Sequence, residues 1–186
     1  AKGADIRVVA STLEAMEIAG SNPTKEVVFM GIGFETTSPT VASMVKTCLG
    51  KNIGNLSVFS VHKVIPPAIK VLLDDPELAI DGFLCPGHVS TIIGYAGYTE
   101  IADRGKAAVI TGFEPVDILE GIAMFLAQIL DSRFTVENQY VRAVKPQGNM
   151  KAMDLMNEVF RVAPAEWRGL GVIEGSGLVL GNTYSS

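Results

Sequence analysis

The sequence is poor in the residues that usually declare a function. Only two cysteines, Cys48 and Cys85, occur in 186 residues, and neither sits in a Cys-x-x-Cys pair. That removes the thiolate sets of zinc and iron–sulfur sites and reads as two reduced, buried thiols of a reducing compartment. Basic residues are outnumbered, 15 Lys and Arg against 20 Asp and Glu, so no basic stripe is offered to nucleic acid or to an anionic membrane. No apolar run reaches the roughly 18 residues of a membrane span. The longest, from Gly121 to Leu130, is closed by Glu120 and Asp131 and reads as a buried helix. No signal peptide is visible, and the chain opens on Ala1 rather than Met, as a piece of a longer protein would. Gly31-Ile32-Gly33 starts like a dinucleotide fingerprint, but residue 36 is Thr, and no Gly-Lys-Ser/Thr follows for a P-loop. The Gly-x-Ser-x-Gly elbow of the serine hydrolases is missing as well.

What is present is hydrophobic and periodic. Apolar residues make up 48% and charged ones 19% of the chain, with a mean hydropathy of +0.32, which suits a parallel sheet buried on both faces. Short apolar runs alternate with amphipathic segments. Strands are predicted at Ile6–Ala10, Val27–Ile32, Leu56–Val61, Ile80–Leu84 and Ala107–Thr111. Helices are predicted at Thr12–Ala19, Pro39–Leu49, Pro66–Leu73, Val89–Ala102 and Pro115–Leu130. Ser11 and Glu14 have the spacing of a capping box. This alternation predicts an α/β fold: an open, mainly parallel, Rossmann-like sheet of about five strands with helices on both faces. Residues 1–133 form that domain. Residues 134–186 read as a C-terminal extension that packs on it or returns to a neighbouring domain, with a helix near Asn149–Phe160 and turns around a short strand in the glycine-rich stretch 167–177.

In such a sheet, ligands bind beyond the carboxyl ends of the strands, and four loops fall on that edge. They carry Gly33-Phe34-Glu35-Thr36-Thr37-Ser38-Pro39, His62-Lys63, Pro86-Gly87-His88-Val89-Ser90 and Gly112-Phe113-Glu114-Pro115-Val116-Asp117. Both histidines of the chain are in this set. The expected site residues are His88, Glu35, His62 and Glu114, with Thr36, Thr37, Gly87 and Ser90 as binding residues and no metal ligand assigned. His88 follows Pro-Gly, which turns the chain sharply and aims the imidazole toward the Glu35 loop. Thr37 or Ser38 would cap the helix after Glu35, with Pro39 in its first turn, and Ser90 the next helix. The bland reading of Glu35 is an acceptor for loop amides, and of Lys63 a solvated neighbour. Two readings of other classes stay open: an α/β domain that takes a small molecule or anion at its helix N-termini, and a docking module for other proteins.

At these loops the sequence resembles the HypD family of hydrogenase maturation factors. The matching stretches are Gly-Phe-Glu-Thr-Thr (33–37), His-Lys-x-x-Pro-Pro (62–67), Pro-Gly-His-Val-Ser-x-Ile-Ile-Gly (86–94) and Gly-Phe-Glu-Pro-x-Asp-Ile-Leu (112–119). Glu-Asn-Gln-Tyr-x-Arg (137–142) and Trp-Arg-Gly-Leu-Gly-x-Ile (167–173) match too. The resemblance implies a cytoplasmic accessory protein of nickel–iron hydrogenase maturation. It would be a scaffold on which iron gains two cyanides and one carbon monoxide, working with HypC and receiving cyanide through HypE and HypF. It also implies a [4Fe-4S] cluster in the full-length protein, with a redox role. The family's Cys-Gly-x-His and Gly-Pro-Gly-Cys-Pro-x-Cys motifs and its downstream cluster cysteines are not in this sequence, so the chain is expected to hold no cofactor and to be inactive alone.

Overall fold

A computed structural model describes residues 3–185. The first expected strand does not form. Residues 6–10 have no ladder partner, Ile6 and Val8 lie exposed, and Val9 alone of the run packs on the core. Helix α1 (Thr12–Ser21) follows, capped by the Ser11 Oγ, which accepts the Glu14 N–H at 3.4 Å, while the Glu14 carboxylate accepts from the Ala10 N–H at 2.8 Å. That satisfies two orphan amides, as a capping box does, with the return bond shifted by one residue. Strands β1 (Val27–Gly33) and β2 (Leu56–Lys63) pair in parallel, from Val27 opposite Leu56 to Gly33 opposite His62. Helix α2 (Ser38–Gly50) crosses between them and buries Val41, Ala42, Met44 and Cys48, which recur on one face of a 3.6-residue helix.

The next units build a second sheet. Helix α3 (Ile65–Asp74) leads to β3 (Gly82–Pro86), and α4 (Gly87–Ile93) and α5 (Thr99–Asp103) lead to β4 (Ala107–Thr111). Helix α6 (Pro115–Leu130) has the bounds its sequence predicts, and a three-residue β5 (Val136–Asn138) follows. Strands β3, β4 and β5 are all parallel, and β4 in the middle is buried at every position, as a two-sided parallel strand must be. Burying Val109 and Ile110 contributes roughly 1.5–3 kcal/mol each. Gln128, fully buried near the end of α6, exchanges bonds with the Ala108 backbone and so fixes that helix to β4.

The helix expected over 89–102 is broken. Gly94 takes a φ of +68°, and the strap 146–149 crosses there, with the Tyr95 N–H donating to the Pro146 carbonyl and the Asn149 N–H to the Ile92 carbonyl, both at 2.9 Å. A Cβ on Gly94 would lie 2.6 Å from the Gly148 nitrogen, so the crossing needs glycine.

A single five-stranded sheet is not what the chain builds. The order is β1-β2-β7-β6 in one sheet and β3-β4-β5 in the other. The cause lies in the glycine-rich stretch, which is no short strand among turns but a long hairpin. Strands β6 (Phe160–Trp167) and β7 (Gly171–Leu180) run antiparallel around a tip where Gly169 and Gly171 have positive φ. β7 takes the second edge of β2 at His62 opposite Leu178 and Lys63 opposite Gly177, which leaves β3 to start another sheet. Helix α7 (Met150–Val159), capped by Asn149, packs on α2 and joins the first core through Met156 and Val159. Among the described residues, no helix is long and apolar enough to cross a membrane.

Candidate functional site

Glu35 leaves the end of β1 and turns inward rather than to solvent, with 2% of its surface exposed. Its Oε1 accepts the Ile65 N–H at 2.8 Å, which serves the first residue of α3. Pro66 and Pro67 follow and have no N–H to offer. Its Oε2 is buried without a partner among the described residues. Burial pushes the Glu35 carboxyl above the usual carboxylate range, against the Ile65 amide, which pulls it down. A buried oxygen left bare costs about 1–3 kcal/mol, which is a reason to look there for a function.

His62, one residue before the end of β2 and opposite Gly33, is equally buried, at 1% exposure. Its tautomer follows from its neighbour. The Ser60 hydroxyl has one proton and gives it to the Leu178 carbonyl at 2.6 Å. The 3.1 Å contact between Ser60 Oγ and His62 Nδ1 must then be donated by Nδ1–H. Nε2 is left with its lone pair, buried and unpartnered among the described residues. Burial lowers the pKa of His62, so the ring is neutral. Gly31 is required beside it, since a Cβ there would meet the imidazole Cε1 at 2.7 Å.

The hairpin roofs this corner. The Trp167 ring lies 6.1 Å from that of Phe34, and the Lys63 ammonium sits 5.0 Å over Trp167 while donating to the Glu166 carbonyl. Lys63 is thus held, not simply solvated. Thr37 takes the cap position of α2, but its hydroxyl and that of Ser38 both donate back to the Phe34 carbonyl, at 3.2 and 3.0 Å, so neither caps the helix with its side chain. Thr36, just before them, is half-buried.

The other expected residues lie on the second sheet. The exposed His88 ring packs 4.9 Å from the Phe113 ring of the next loop and makes no hydrogen bond to Glu35. Partial burial lowers its pKa. Gly87 is wedged between Thr111 and Tyr140. Ser90 lies inside α4 instead of capping it. Its hydroxyl donates to the Pro86 carbonyl at 2.9 Å and shares a 3.2 Å bond with the buried Tyr98 hydroxyl. Glu114 stands exposed at the start of α6, 3.6 Å from Arg142. The set therefore divides: Glu35, His62, Thr36 and Thr37 gather at one sheet, His88, Gly87, Ser90 and Glu114 at the other. Tyr98 packs in the second core, and burial raises the pKa of its phenol.

Sequence reasoning passed over a third group. Asp117, buried in the first turn of α6, receives both guanidinium nitrogens of Arg142, at 2.7 and 2.6 Å, and the Gln139 amide at 2.9 Å. These bonds hold its carboxyl down to about 2. The Arg142 guanidinium also lies 4.5 Å over the Tyr140 ring. The signal was in the stretch 137–142, whose Gln, Tyr and Arg all turn to the Gly112–Asp117 loop.

The thiols do not form a cluster site. Cys48 packs in the α1–α2–α7 core and Cys85 in the core under β3 and β4. Burial raises both, Cys85 to about 12. An iron–sulfur cluster takes four thiolates, and the residues present do not fit one; among the described residues, no three His, Cys, Asp or Glu side chains gather for a metal ion.

The comparisons with known proteins agree with one another. The family model described as HypD: Hydrogenase formation hypA family matches residues 1–186. The hydrogenase maturation factor HypD of Rhodobacter capsulatus is 47% identical over 99% of this chain and 49% of its own length. That of Escherichia coli K12 is 44% identical over 99% of this chain and 50% of its own length. That of Cupriavidus necator is 43% identical over 96% and 49%. The chain spans about half the length of the curated relatives it matches. By the family match along all 186 residues, the chain belongs to the HypD hydrogenase formation family.

Proposed function

We propose that the chain takes part in hydrogenase maturation as one wall of an assembly site, and that the corner of Glu35 and His62 is its working part. The observation that carries this is a pair of bare polar atoms. Glu35 Oε2 and His62 Nε2 are buried and unpartnered at the ends of adjacent strands, where an open α/β sheet receives ligands. Their chemistry is complementary. The Glu35 carboxyl keeps its proton more firmly than an ordinary carboxylic acid and can donate it, while His62 Nε2 offers a lone pair near neutral pH. Together they would hold and move protons beside an iron centre that passes through as cargo.

His88, on the Gly87 turn, and Glu114 would face the same work from the second sheet. In this reading the iron–cyanide–carbon monoxide group is the cargo, a HypC-like chaperone and a HypE-like cyanide donor are the partners, and the cytoplasm is the place. The [4Fe-4S] cluster belongs to segments outside these residues. The relatives' names, all hydrogenase maturation factors, support the reading.

The test places changes equivalent to Glu35→Gln, His62→Gln and His88→Ala in the full-length Escherichia coli relative. Hydrogenase activity is then measured in cells that carry only the variant. The reading expects loss for the first two with a melting temperature near that of the parent. Full activity in both removes this corner from the function.

A further inference from the structure

The first sheet ends in an open edge on the side of β1. In the order β1-β2-β7-β6, β1 has β2 as its one strand partner, and its outer edge is free among the described residues. An open edge presents unpaired N–H and C=O groups that template a further strand. Residues 5–9 run alongside that edge without pairing to it. Between Ile6 and Val9 on one wall and Val27 and Phe29 on the other lies a groove of about 610 Å³, floored by Ala15 and Ile18 of α1.

The unpaired segment already obeys the alternation of the sheet. Val9 and Phe29 both pack on the first core, which the helices cover, while Ile6 and Val8, like Val28, Met30 and Ile32, are exposed. A strand, a helix and a second strand in sequence normally share one sheet. The Lys25 ammonium reaches to within 3.9 Å of the Asp5 carboxylate, so the start of the segment and the approach to β1 lie at the same end of the groove. In a strand–helix–strand unit of this kind the two strands run in the same direction. The groove has the size of one strand. Four residues at ~3.3 Å each, ~4.8 Å across and ~10 Å deep, occupy roughly 600 Å³.

We infer that the groove between residues 5–9 and β1 receives one extended segment, parallel to both walls, from the half of the family's chain that lies outside the match. The relatives carry about as much chain again as these 186 residues cover, so the family has the material. The inserted strand pairs with β1 and with residues 5–9 at once, turning the latter into the strand their sequence predicts. Its side chains are apolar on both faces near Val9 and Phe29, and the charged pair Asp5 and Arg7 stays at the rim.

Amide hydrogen exchange decides it, measured on this chain and on the full-length Escherichia coli relative at the matching stretches. In the chain alone, the amides of residues 5–9 and the outward amides of 27–30 exchange fast. In the relative, both stretches slow together by roughly 100-fold or more. Equal exchange in the two proteins overturns the inference. Slowing at 27–30 without slowing at 5–9 also overturns it, because a strand in the groove must protect both walls. Protection that appears in this chain alone as its concentration rises would assign the groove to a second copy instead.

Discussion

Replacing Gly87 by alanine tests the joint between β3 and β4 and the loop that presents His88. The Cβ added there would lie 2.7 Å from the Tyr140 ring and 3.1 Å from the Thr111 carbonyl carbon, with the carbonyl oxygen closer still. Tyr140 can swing, but Thr111 cannot. It is the register partner of Pro86, in a strand buried on both faces, so relief requires β3 and β4 to part or the Pro86–His88 turn to shift. Overpacking of this kind costs typically 1–3 kcal/mol. For a chain of this size, each kcal/mol moves the melting temperature by about 2–4 °C, so Gly87→Ala should melt roughly 2–12 °C lower. Gly20→Ala is the control. That glycine lies in α1 with no atom in the way, and alanine there should stabilise by about 0.5–1 kcal/mol. The assay is thermal unfolding followed by circular dichroism, with urea unfolding as a check. A Gly87→Ala variant within 0.5 kcal/mol of the parent would refute the packing described at that turn.

Three further outcomes follow from the titrating groups. The folded pKa of Glu35 is raised above its unfolded value, so it favours the fold on the acid side and that contribution is lost as pH rises through the folded pKa; Glu35→Gln should remove this slope from a plot of melting temperature against pH. Asp117 behaves in the opposite sense. Its stabilisation is present above the ordinary carboxylate range and is lost as pH falls toward about 2, so Asp117→Asn should be less stable at neutral pH and show a flatter acid limb. Native Cys48 and Cys85 should react slowly with a thiol reagent at pH 7, because burial keeps both protonated, and a burst of labelling at either would contradict their packing.

Much of the local structure is legible in the residues. Pro115 and the apolar stripe after it set the bounds of α6, and Ser11 and Glu14 mark the start of α1. What fails is whatever depends on a distant partner. Ile6–Ala10 has the pattern of a strand, but a pattern cannot supply the neighbour that completes the ladder. Residues 89–102 have helical periodicity, yet the strap through Pro146 and Gly148 occupies the place of the next turn. The hairpin is hidden by its glycines, which read as turns because two of them do turn, at 169 and 171. The strand-end loops pointed to Glu35 and His62, and both proved buried with a bare atom. They also pointed to Glu114, but its neighbour Asp117 holds the stronger bonds. The partners Gln139 and Arg142 arrive from more than twenty residues away, and no local spacing announces them.

The proposed site depends on one lone pair, that of His62 Nε2. Long-range proton–nitrogen correlation spectra of the labelled chain read it directly, since His88 is the one other histidine. The account predicts a neutral His62 ring with its proton on Nδ1, a shift of unprotonated nitrogen at Nε2, and a titration midpoint below that of an ordinary histidine. A proton on Nε2, or an ordinary titration between pH 6 and 7, would contradict it, and with it the pair of donor and acceptor on which the proposed site rests.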